Sequence, residues 1–265
     1  MTAYAANLRA LAALANAQPD ATALRSYTGW TDPRTRAEAF DAVGTPQPAV
    51  SEAYARLSLR PDFTHDLHRL HLPPRVARSV TGLACRALGR TPASVLVPFA
   101  GDGVFLDALA EHAQATGTAG QVNWLLATEL DPVRAAILRH LHPSWEVRQA
   151  PLHTAGIAAP WFDLVIGCAP TDGPIVADDL QPELHWTHLR AHPSDYHLCK
   201  AVASLLPDGV CAMVVHHSTL DRPERGAREW LAERTVTLGV WRLPIELWAG
   251  QGERPLTDLV LLKRA

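Results

Sequence analysis

Apolar and polar positions follow two different periods along the second part of the chain. Short apolar runs typical of strands occur at residues 94–97, 124–128, 145–148, 162–166, 210–216, 236–243 and 256–263. Stretches with helical spacing separate most of them, at about 104–115, 132–141, 196–206 and 223–233. Strands and helices that alternate in this way predict a parallel sheet with helices on both faces. No helix separates the last two strands, so they are predicted to pair antiparallel.

The first part of the chain has a helical pattern without strands. Residues 4–17 are rich in Ala and Leu with helical spacing, and short helices are predicted near 35–42 and 50–57. A longer helix is predicted to start at Pro73-Pro74 and to run to about Leu88, because proline is favoured in the first helical turn. The pattern therefore predicts a helical N-terminal extension over residues 1–70 and one α/β domain over residues 71–265.

Composition limits the functions that are open to the chain. A hydrophobic fraction of 48% supports a substantial core, and a net charge of −3 argues against broad electrostatic binding to phosphate. Contact with nucleic acid would then need a local patch or a protein partner. The four cysteines form no Cys-x-x-Cys pair, which predicts reduced thiols in a cytoplasmic protein. The sequence shows no signal-peptide pattern and no apolar run of about 18 residues, so no membrane span is predicted.

The strongest chemical signal is a glycine-containing loop directly after the first predicted strand. Gly101 and Gly103 let the backbone turn sharply and let a ligand approach the main chain. The helix that follows would present free N–H groups and the positive end of its dipole. An ordinary tight turn between a strand and a helix is the alternative interpretation, and two glycines alone do not separate the two.

An acidic residue at the end of the second predicted strand favours the binding interpretation. Glu129 follows the glycine loop by roughly 26 residues, and a carboxylate there can accept hydrogen bonds from both ribose hydroxyls of an adenosyl group. Asp131 precedes Pro132 and is interpreted as a helix cap. Together the loop and Glu129 indicate a nucleoside cofactor.

Several motifs resemble those of N6-adenine DNA methyltransferases. Residues 98–106, Pro-Phe-Ala-Gly-Asp-Gly-Val-Phe-Leu, resemble that family's Pro-Ser-Ala-Gly-Thr-Gly-x-Phe-Leu motif, which binds S-adenosylmethionine (SAM). Residues 127–132 resemble its Val-Glu-Leu-Asp-Pro segment, and residues 162–171 lie where the family has Phe-Asp-Leu-Val-Ile-Gly-Asn-Pro-Pro-Phe. Residues 27–30 (Tyr-Thr-Gly-Trp), 71–74, 242–244 and 257–264 are similar to a subgroup carried by phages and plasmids, often fused to a large helicase. The resemblance covers roughly residues 24–264.

The resemblance implies a fold and a cofactor. The fold would be the Rossmann-like, seven-stranded sheet of class I SAM-dependent methyltransferases. The glycine loop would hold the methionine part of SAM, and Glu129 would hold the ribose. The cofactor-binding residues implied are Pro98, Ala100, Gly101, Asp102, Gly103, Phe105 and Glu129. Asp163, shortly before the catalytic loop, is interpreted as structural.

The catalytic loop departs from the family's pattern at residues 168–171. Cys168 stands where the family's Asn or Asp accepts hydrogen bonds from the adenine amino group, and a thiol is a weak acceptor. Ala169 and Pro170 follow, and Pro170 would shape the loop. Thr171 replaces the aromatic residue that stacks on the flipped base. Leu72 also replaces a Tyr that usually lines the cofactor pocket. Little adenine methylation is therefore expected.

Two functional hypotheses remain open. The chain is either an active methyltransferase with an unusual catalytic loop or a non-catalytic binding subunit that works with a DNA-processing partner such as a helicase or an active methyltransferase. Specific DNA contact would need residues 171–194 or that partner, and the sequence does not give the oligomeric state.

Two other kinds of chemistry have weaker support. A nucleophilic Cys168 would be typical of cytosine C5 methylation, but no other signal of that chemistry is present. Two histidine groups could bind zinc: His65, His68 and His71 in one, and His185, His188, His192 and His197 in the other. No spaced cysteines join them, so no metal site is predicted.

Overall fold

The computed structural model describes residues 1–30, 32–61, 71–171, 179, 192–248 and 255–265. The helices among these residues are α1 (Ala3–Leu14), α2 (Ala21–Leu24), α3 (Pro33–Ala39), α4 (Pro48–Arg56), α5 (Pro74–Leu88), α6 (Val104–Ala115), α7 (Pro132–Leu141), α8 (Pro193–Ala203), α9 (Ser218–Asp221) and α10 (Gly226–Ala232). The strands are β1 (Ser94–Val97), β2 (Trp124–Glu129), β3 (Glu146–Gln149), β4 (Phe162–Cys168), β5 (Leu205–His216), β6 (Thr235–Arg242) and β7 (Thr257–Arg264).

The strands form one seven-stranded sheet in the order β3-β2-β1-β4-β5-β7-β6. The first five strands run parallel, and β7 pairs antiparallel with both β5 and β6. The predicted parallel sheet and the predicted antiparallel pairing of the last two strands are both confirmed. The strand order reverses between β1 and β4, and ligands of open α/β sheets bind outside the carboxyl ends of the strands at such a point.

Alternating side chains of the strands point into two separate apolar layers. Leu96, Val165 and Met213 pack against α8 and α10 on one face of the sheet. Val97 and Ile166 pack against α5, α6 and α7 on the other face. Burial on both faces explains why these strands are nearly continuous apolar runs.

The N-terminal helices form a third apolar cluster around Trp30 and Tyr54, which are both almost completely buried. Val133 and Ile137 of α7 belong to the same cluster. The predicted helical N-terminal segment is therefore present, and it packs against the helix that follows β2. The predicted boundary at residue 70 lies outside the described residues.

The start of β5 corrects one prediction. Residues 196–206 were expected to be helical and residues 207–209 to form a turn, but α8 ends at Ala203 and β5 already begins at Leu205. Phe162 pairs with Leu205 and Leu164 pairs with Val210, so the intervening residues form a bulge. Asp208 has a positive φ of 63°, and a Cβ on Gly209 would lie 2.8 Å from the carbonyl oxygen of Leu206. Residues typical of turns here serve a bulge inside a strand.

The helix expected at 223–233 is also shorter than predicted, because α10 begins at Gly226 and the short α9 precedes it. The cysteines are free thiols, as predicted. Within the described ranges, none of the helices is both long and apolar enough to cross a membrane.

Candidate cofactor and catalytic site

The glycine loop, residues 98–103, connects β1 to α6 and is held against the end of β2. The amide of Ala100 donates to the carbonyl of Thr128 at 2.9 Å, and the amide of Gly103 donates to the carbonyl of Ala100 at 2.9 Å. Gly101 and Gly103 have φ values of 62° and 85°. A Cβ on Gly103 would lie 2.7 Å from Cδ2 of Leu138 in α7. The left-handed backbone favours glycine at both positions, and a Cβ on Gly103 would in addition require the Leu138 side chain to shift.

Phe99 shares the left-handed backbone of this loop, with a φ of 55°. Such a conformation is strained for a bulky residue and occurs mostly at functional sites. Its ring contacts the ring of His197 edge-on, with centroids 4.5 Å apart. Burial, assisted by the charge of His153, lowers the pKa of His197 to about 3, so its imidazole is neutral at physiological pH. Phe99 was not among the predicted cofactor residues.

Glu129 joins the glycine loop to the turn that precedes α7. Its Oε2 accepts from the amide of Gly101 at 2.8 Å, and its Oε1 accepts from the amide of Asp131 at 2.9 Å. A carboxylate has about four lone-pair sites, so an oxygen of such a group can accept more than one hydrogen bond. The side chain is only 1% exposed, so a ribose would reach it only after a neighbouring group moves aside. The carboxylate acceptor of Glu129 and the glycine backbone fit the ribose hydroxyls and the chain of an adenosyl cofactor.

Asp131 caps α7, as predicted: its Oδ1 accepts from the amides of Val133 at 2.8 Å and Arg134 at 3.3 Å. Phe105 lies in the first turn of α6 and packs into the core cluster beneath the loop. The loop and Glu129 are thus supported from below by a capped helix and a packed ring.

Asp102 lies in the glycine loop opposite His71, with 3.5 Å between Oδ2 and Nδ1. Burial acts to raise the pKa of Asp102, but the hydrogen bond and charge of His71 and the charge of Arg134 together lower it below the ordinary value. The carboxylate is therefore ionised at neutral pH. It gives the loop a fixed negative charge that could attract the ammonium group of a methionine moiety.

A cavity of about 160 Å³ lies between the glycine loop and the N-terminal segment. Residues from both sides line it, including Arg25, Tyr27, Asp102, Asp107 and Arg134. The Arg25 guanidinium forms an ion pair with Asp107 of α6, which spans the cavity's edge. The cavity is smaller than the roughly 300 Å³ at which pockets for whole ligands begin, so it could hold only part of a cofactor.

The candidate catalytic loop, residues 168–171, follows β4 next to the glycine loop. A Cβ on Gly167 would lie 2.8 Å from the carbonyl oxygen of Pro98, so the ends of β1 and β4 can approach only because this residue is glycine. The amide of Ala169 donates to the carbonyl of Val214 at 2.8 Å, and the carbonyl of Pro170 accepts from Oγ of Ser194 at 2.9 Å. The loop is thereby fixed between β1 and β5.

The chemistry of this loop differs from that of an amide-based catalytic site. Burial, together with the charge of Asp102, raises the pKa of the Cys168 thiol to about 12. A protonated thiol is a poor nucleophile and a weak hydrogen-bond acceptor, which argues against a cysteine-based attack. Thr171 is buried at 6% exposure and presents no aromatic surface.

Asp163 at the start of β4 has the structural contacts expected for it. Its carboxylate accepts from Arg90 at 2.5 Å and from the amides of Ala93 and Ser94 at 2.7 and 3.1 Å. These bonds fix the first residue of β1, at the sheet edge opposite the glycine loop.

The predicted residues Pro98, Ala100, Gly101, Asp102, Gly103 and Glu129 and the loop Cys168, Ala169, Pro170 and Thr171 all lie at the carboxyl edge of β1, β2 and β4. Sequence reasoning missed Arg134, whose side chain is 2% exposed and donates to the carbonyl of Thr28 at 2.7 Å. It also missed Asn7, the one amide on an otherwise apolar face of α1, and that isolated polar residue was a usable signal.

Most of the histidines considered as zinc ligands, namely His65, His68, His185 and His188, lie outside the described residues. Among the residues that the structure describes, no group of three or more His, Cys, Asp or Glu side chains could hold a metal ion. His71 faces Asp102, and His192 instead caps α8.

Comparison with solved structures agrees with the observed topology. The modification subunit of a putative type I restriction enzyme from Vibrio vulnificus aligns over 81% of this chain and 49% of its own, with a TM-score of 0.61 and 19% identity. A putative class I SAM-dependent methyltransferase from Listeria monocytogenes aligns over 99% of this chain and 88% of its own, with a TM-score of 0.61 and 13% identity.

The chain has the class I SAM-dependent methyltransferase fold. The M protein of the type I restriction enzyme EcoKI also shares it, with a TM-score of 0.53 and 15% identity over 96% of this chain and 53% of its own. This chain thus spans about half the length of the two type I proteins. No family model and no curated protein sequence matches it. At identities below 20%, these similarities show the fold alone and do not give the substrate or the partners of this chain.

Proposed function

We propose that the protein binds SAM at the carboxyl edge of β1 and β2. The observation that carries this proposal is the position of Glu129, whose carboxylate ties the left-handed glycine loop to the capped start of α7. An acid at the end of β2 beside a glycine loop after β1 is the arrangement that recognises a ribose next to a flexible backbone turn. The methyltransferase fold supports SAM as the nucleoside.

In this proposal each group of the loop has a distinct role. Glu129 accepts from the ribose hydroxyls, and Gly101 and Gly103 let the methionine part lie against the main chain. Asp102 attracts the ammonium group of the cofactor. SAM supplies an electrophilic methyl group, and the residues of this chain bind and orient it.

We further propose that the protein acts as a non-catalytic subunit beside a DNA-processing partner. The half-buried, protonated Cys168 offers neither the acceptor nor the charge that would activate an adenine amino group. Losing one preorganised electrostatic contact costs about 10²–10³ in rate, and the missing stack adds to this. The fold shared with a modification subunit of a restriction enzyme supports a role within a complex.

Calorimetric titration with SAM and with S-adenosylhomocysteine tests cofactor binding. We expect micromolar affinity for the native chain and a loss of roughly tenfold to a hundredfold in Glu129→Gln, because hydrogen bonds to a charged group contribute about 1.5–3 kcal/mol. Glu52→Gln, at an exposed position of α4, is the matched control and should bind as the native chain does. No detectable heat with either ligand would contradict the proposal.

Transfer of labelled methyl groups from SAM to DNA tests the catalytic state. The double variant Cys168→Asn with Thr171→Phe restores the family's acceptor and ring, and we expect activity only in this variant. Thr171 is buried, so the thermal unfolding midpoint of the double variant must first show that the larger phenylalanine ring is accommodated. Methyl transfer by the native chain would overturn the non-catalytic assignment.

A further inference from the structure

A second cavity, which we call the amino-edge cavity, lies at the edge of the sheet opposite the proposed cofactor site. It is lined by Pro92, which precedes β1, by Trp124, the first residue of β2, and by Glu146, the first residue of β3. Glu129 is the last residue of β2, and a strand of six residues spans about 16 Å. The length of β2 therefore separates this cavity from the carboxylate proposed to bind the ribose.

The volume and the walls of the amino-edge cavity suit a whole small molecule. Its volume is about 470 Å³, within the range of about 300–1,000 Å³ that ligand pockets occupy. The cavity beside the glycine loop, at about 160 Å³, is below that range. Leu109, Val122, Leu125 and Leu141 line the amino-edge cavity, so much of its wall is apolar. Size and walls together favour a largely apolar ligand.

Aromatic rings that line the amino-edge cavity are held in place by their neighbours. The Trp124 ring stacks on Phe162 with centroids 4.8 Å apart, and Nε1 of Trp124 donates to Oε2 of Glu146 at 2.9 Å. The ring of His142 lies parallel to that of Trp145, with centroids 4.9 Å apart and an interplanar angle of 6°. Because these side chains are ordered before a ligand arrives, binding a flat molecule costs little side-chain entropy.

The charges around the amino-edge cavity favour a neutral ligand that carries a hydrogen-bond donor. His112 and Ala113 in the last turn of α6 and Leu141 at the end of α7 line the cavity. The carboxyl end of a helix carries a partial negative charge, so two such ends favour a donor and disfavour an anion. Among the described lining residues, Glu146 is the only carboxylate, and it already accepts from Nε of Arg148 at 2.7 Å. A cationic ligand would therefore have no unpaired counter-charge among these residues.

We propose that the amino-edge cavity is a second ligand site, which takes a small, flat, neutral molecule with an apolar body and an N–H or O–H donor. The apolar body packs against the leucine and tryptophan side chains, and the donor faces the helix ends. Burial of the apolar body supplies most of the affinity, and the donor fixes the orientation. This site goes beyond the proposed cofactor function, because none of its lining residues belongs to the glycine loop or to residues 168–171.

N-phenyl-1-naphthylamine is a suitable probe, because it is neutral, carries one N–H and fluoresces strongly in apolar surroundings. Its titration into the full chain should give a saturable rise in fluorescence. Ala113→Phe places a ring at the cavity wall and should weaken binding by roughly tenfold or more, since it fills part of the volume. Ala115→Phe, at an exposed position of the same helix, is the matched control and should bind as the native chain does. Equal dissociation constants for the two phenylalanine variants, or no saturable binding by the native chain, would overturn the proposal.

Cys85 reports on occupancy in the native chain, without any effect of a substitution on folding. Cys85 is half-buried in the cavity wall, and Cys168 is half-buried at the opposite edge of the sheet. Burial raises the pKa of the Cys85 thiol, so its alkylation by N-ethylmaleimide is slow and can be followed by mass spectrometry. Saturating probe should slow the labelling of Cys85 and leave that of Cys168 unchanged. Labelling of Cys85 at the same rate with and without the probe would contradict binding in this cavity.

Competition with SAM keeps this site distinct from the proposed cofactor site. Probe fluorescence should be unchanged at saturating SAM, and calorimetry should give Ala113→Phe the native affinity for SAM. Displacement of the probe by SAM would place the probe at the carboxyl edge of the sheet and overturn the proposal. Probe binding without any SAM binding would leave the amino-edge cavity as a ligand site and reject the cofactor assignment.

Discussion

Several buried charges in the described part of the chain are matched by specific sets of partners. Asp163 accepts one guanidinium and two amide donors, and Lys200 on α8 contacts Asp179 at 2.8 Å and the carbonyl of Ile157 at 2.7 Å. Burying such a charge without its partners is costly. Removing one partner should therefore lower the free energy of unfolding by more than a single hydrogen bond contributes.

Asp163→Asn should lower the free energy of unfolding at pH 7 by about 2 kcal/mol, because a neutral amide replaces a charged acceptor of three hydrogen bonds. The hydrogen bond from Arg90, with the amides of Ala93 and Ser94, holds the pKa of Asp163 below its ordinary value despite burial. A lowered pKa stabilises the fold above the unfolded pKa of about 3.9 and loses this effect as pH falls through the folded value.

Urea unfolding of the native chain and Asp163→Asn at several pH values measures this effect. The difference in unfolding free energy should be constant near neutrality and should shrink below about pH 4. A difference that does not change with pH would show that the carboxylate acts by shape alone.

Lys200→Met should cost about 3–5 kcal/mol, because it removes the ammonium group that pairs with the buried Asp179 carboxylate. Both side chains are at most 1% exposed, and the hydroxyl of Tyr196 also donates to Asp179. Lys263 is the only other lysine and pairs with Asp208 at the surface, so Lys263→Met is a matched control with an expected effect below about 1 kcal/mol. Comparable losses in the two variants by chemical denaturation would contradict a structural role for the buried pair.

Helices and strands were predictable where the spacing of apolar residues clearly followed either the helical or the strand period. The β1 strand matches its predicted bounds, and α7 begins at the predicted proline. The bulge in β5 was not predictable, because Pro207, Asp208 and Gly209 are equally typical of a turn and only pairing with β4 decides between them. The short α2 and α9 helices have too few residues to establish a period.

Substitution by alanine is expected to have opposite effects on stability at Gly167 and at Gly82. Gly167→Ala places a Cβ 2.8 Å from the backbone oxygen of Pro98, so the ends of β1 and β4 must separate. We expect a loss of about 1–3 kcal/mol and weaker SAM binding. Gly82→Ala in mid-α5 meets only the flexible end of Arg86 at 3.2 Å, and helix propensity should raise stability by up to about 1 kcal/mol.

Thermal unfolding and calorimetry on both alanine variants measure these effects. If Gly167→Ala stabilised the protein, the ends of β1 and β4 would have space for a Cβ, and the steric prediction would be wrong. A loss in Gly82→Ala would show that Arg86 cannot move.

At the scale of the whole molecule, polar contacts that no sequence motif indicated connect the N-terminal helices to the carboxyl edge of the sheet. Asn7 of α1 accepts from the amide of Thr28 at 2.8 Å and donates to the carbonyl of Gly29 at 2.5 Å. Arg134 of α7 donates to the carbonyl of Thr28. The resemblance identified residues 27–30 as a motif, but only tertiary structure shows that this segment adjoins the glycine loop. Positions in the site were predictable from strand ends, whereas contacts between distant segments were not.

These contacts predict that the N-terminal helices and the sheet unfold as one cooperative unit. Asn7→Ala removes the partner of the Thr28 amide and of the buried Gly29 carbonyl, so it should cost about 2 kcal/mol. Hydrogen exchange in the full chain should then show the same loss of protection at amides of α1 and of β4, because Val133 and Ile137 share one apolar cluster with α1. Asn16→Ala, at an exposed position just after α1, is the control. A loss of protection confined to α1 would contradict this prediction and would show that the N-terminal helices unfold separately from the sheet. In that case, the affinity of Asn7→Ala for SAM would show whether the N-terminal helices still influence the glycine loop.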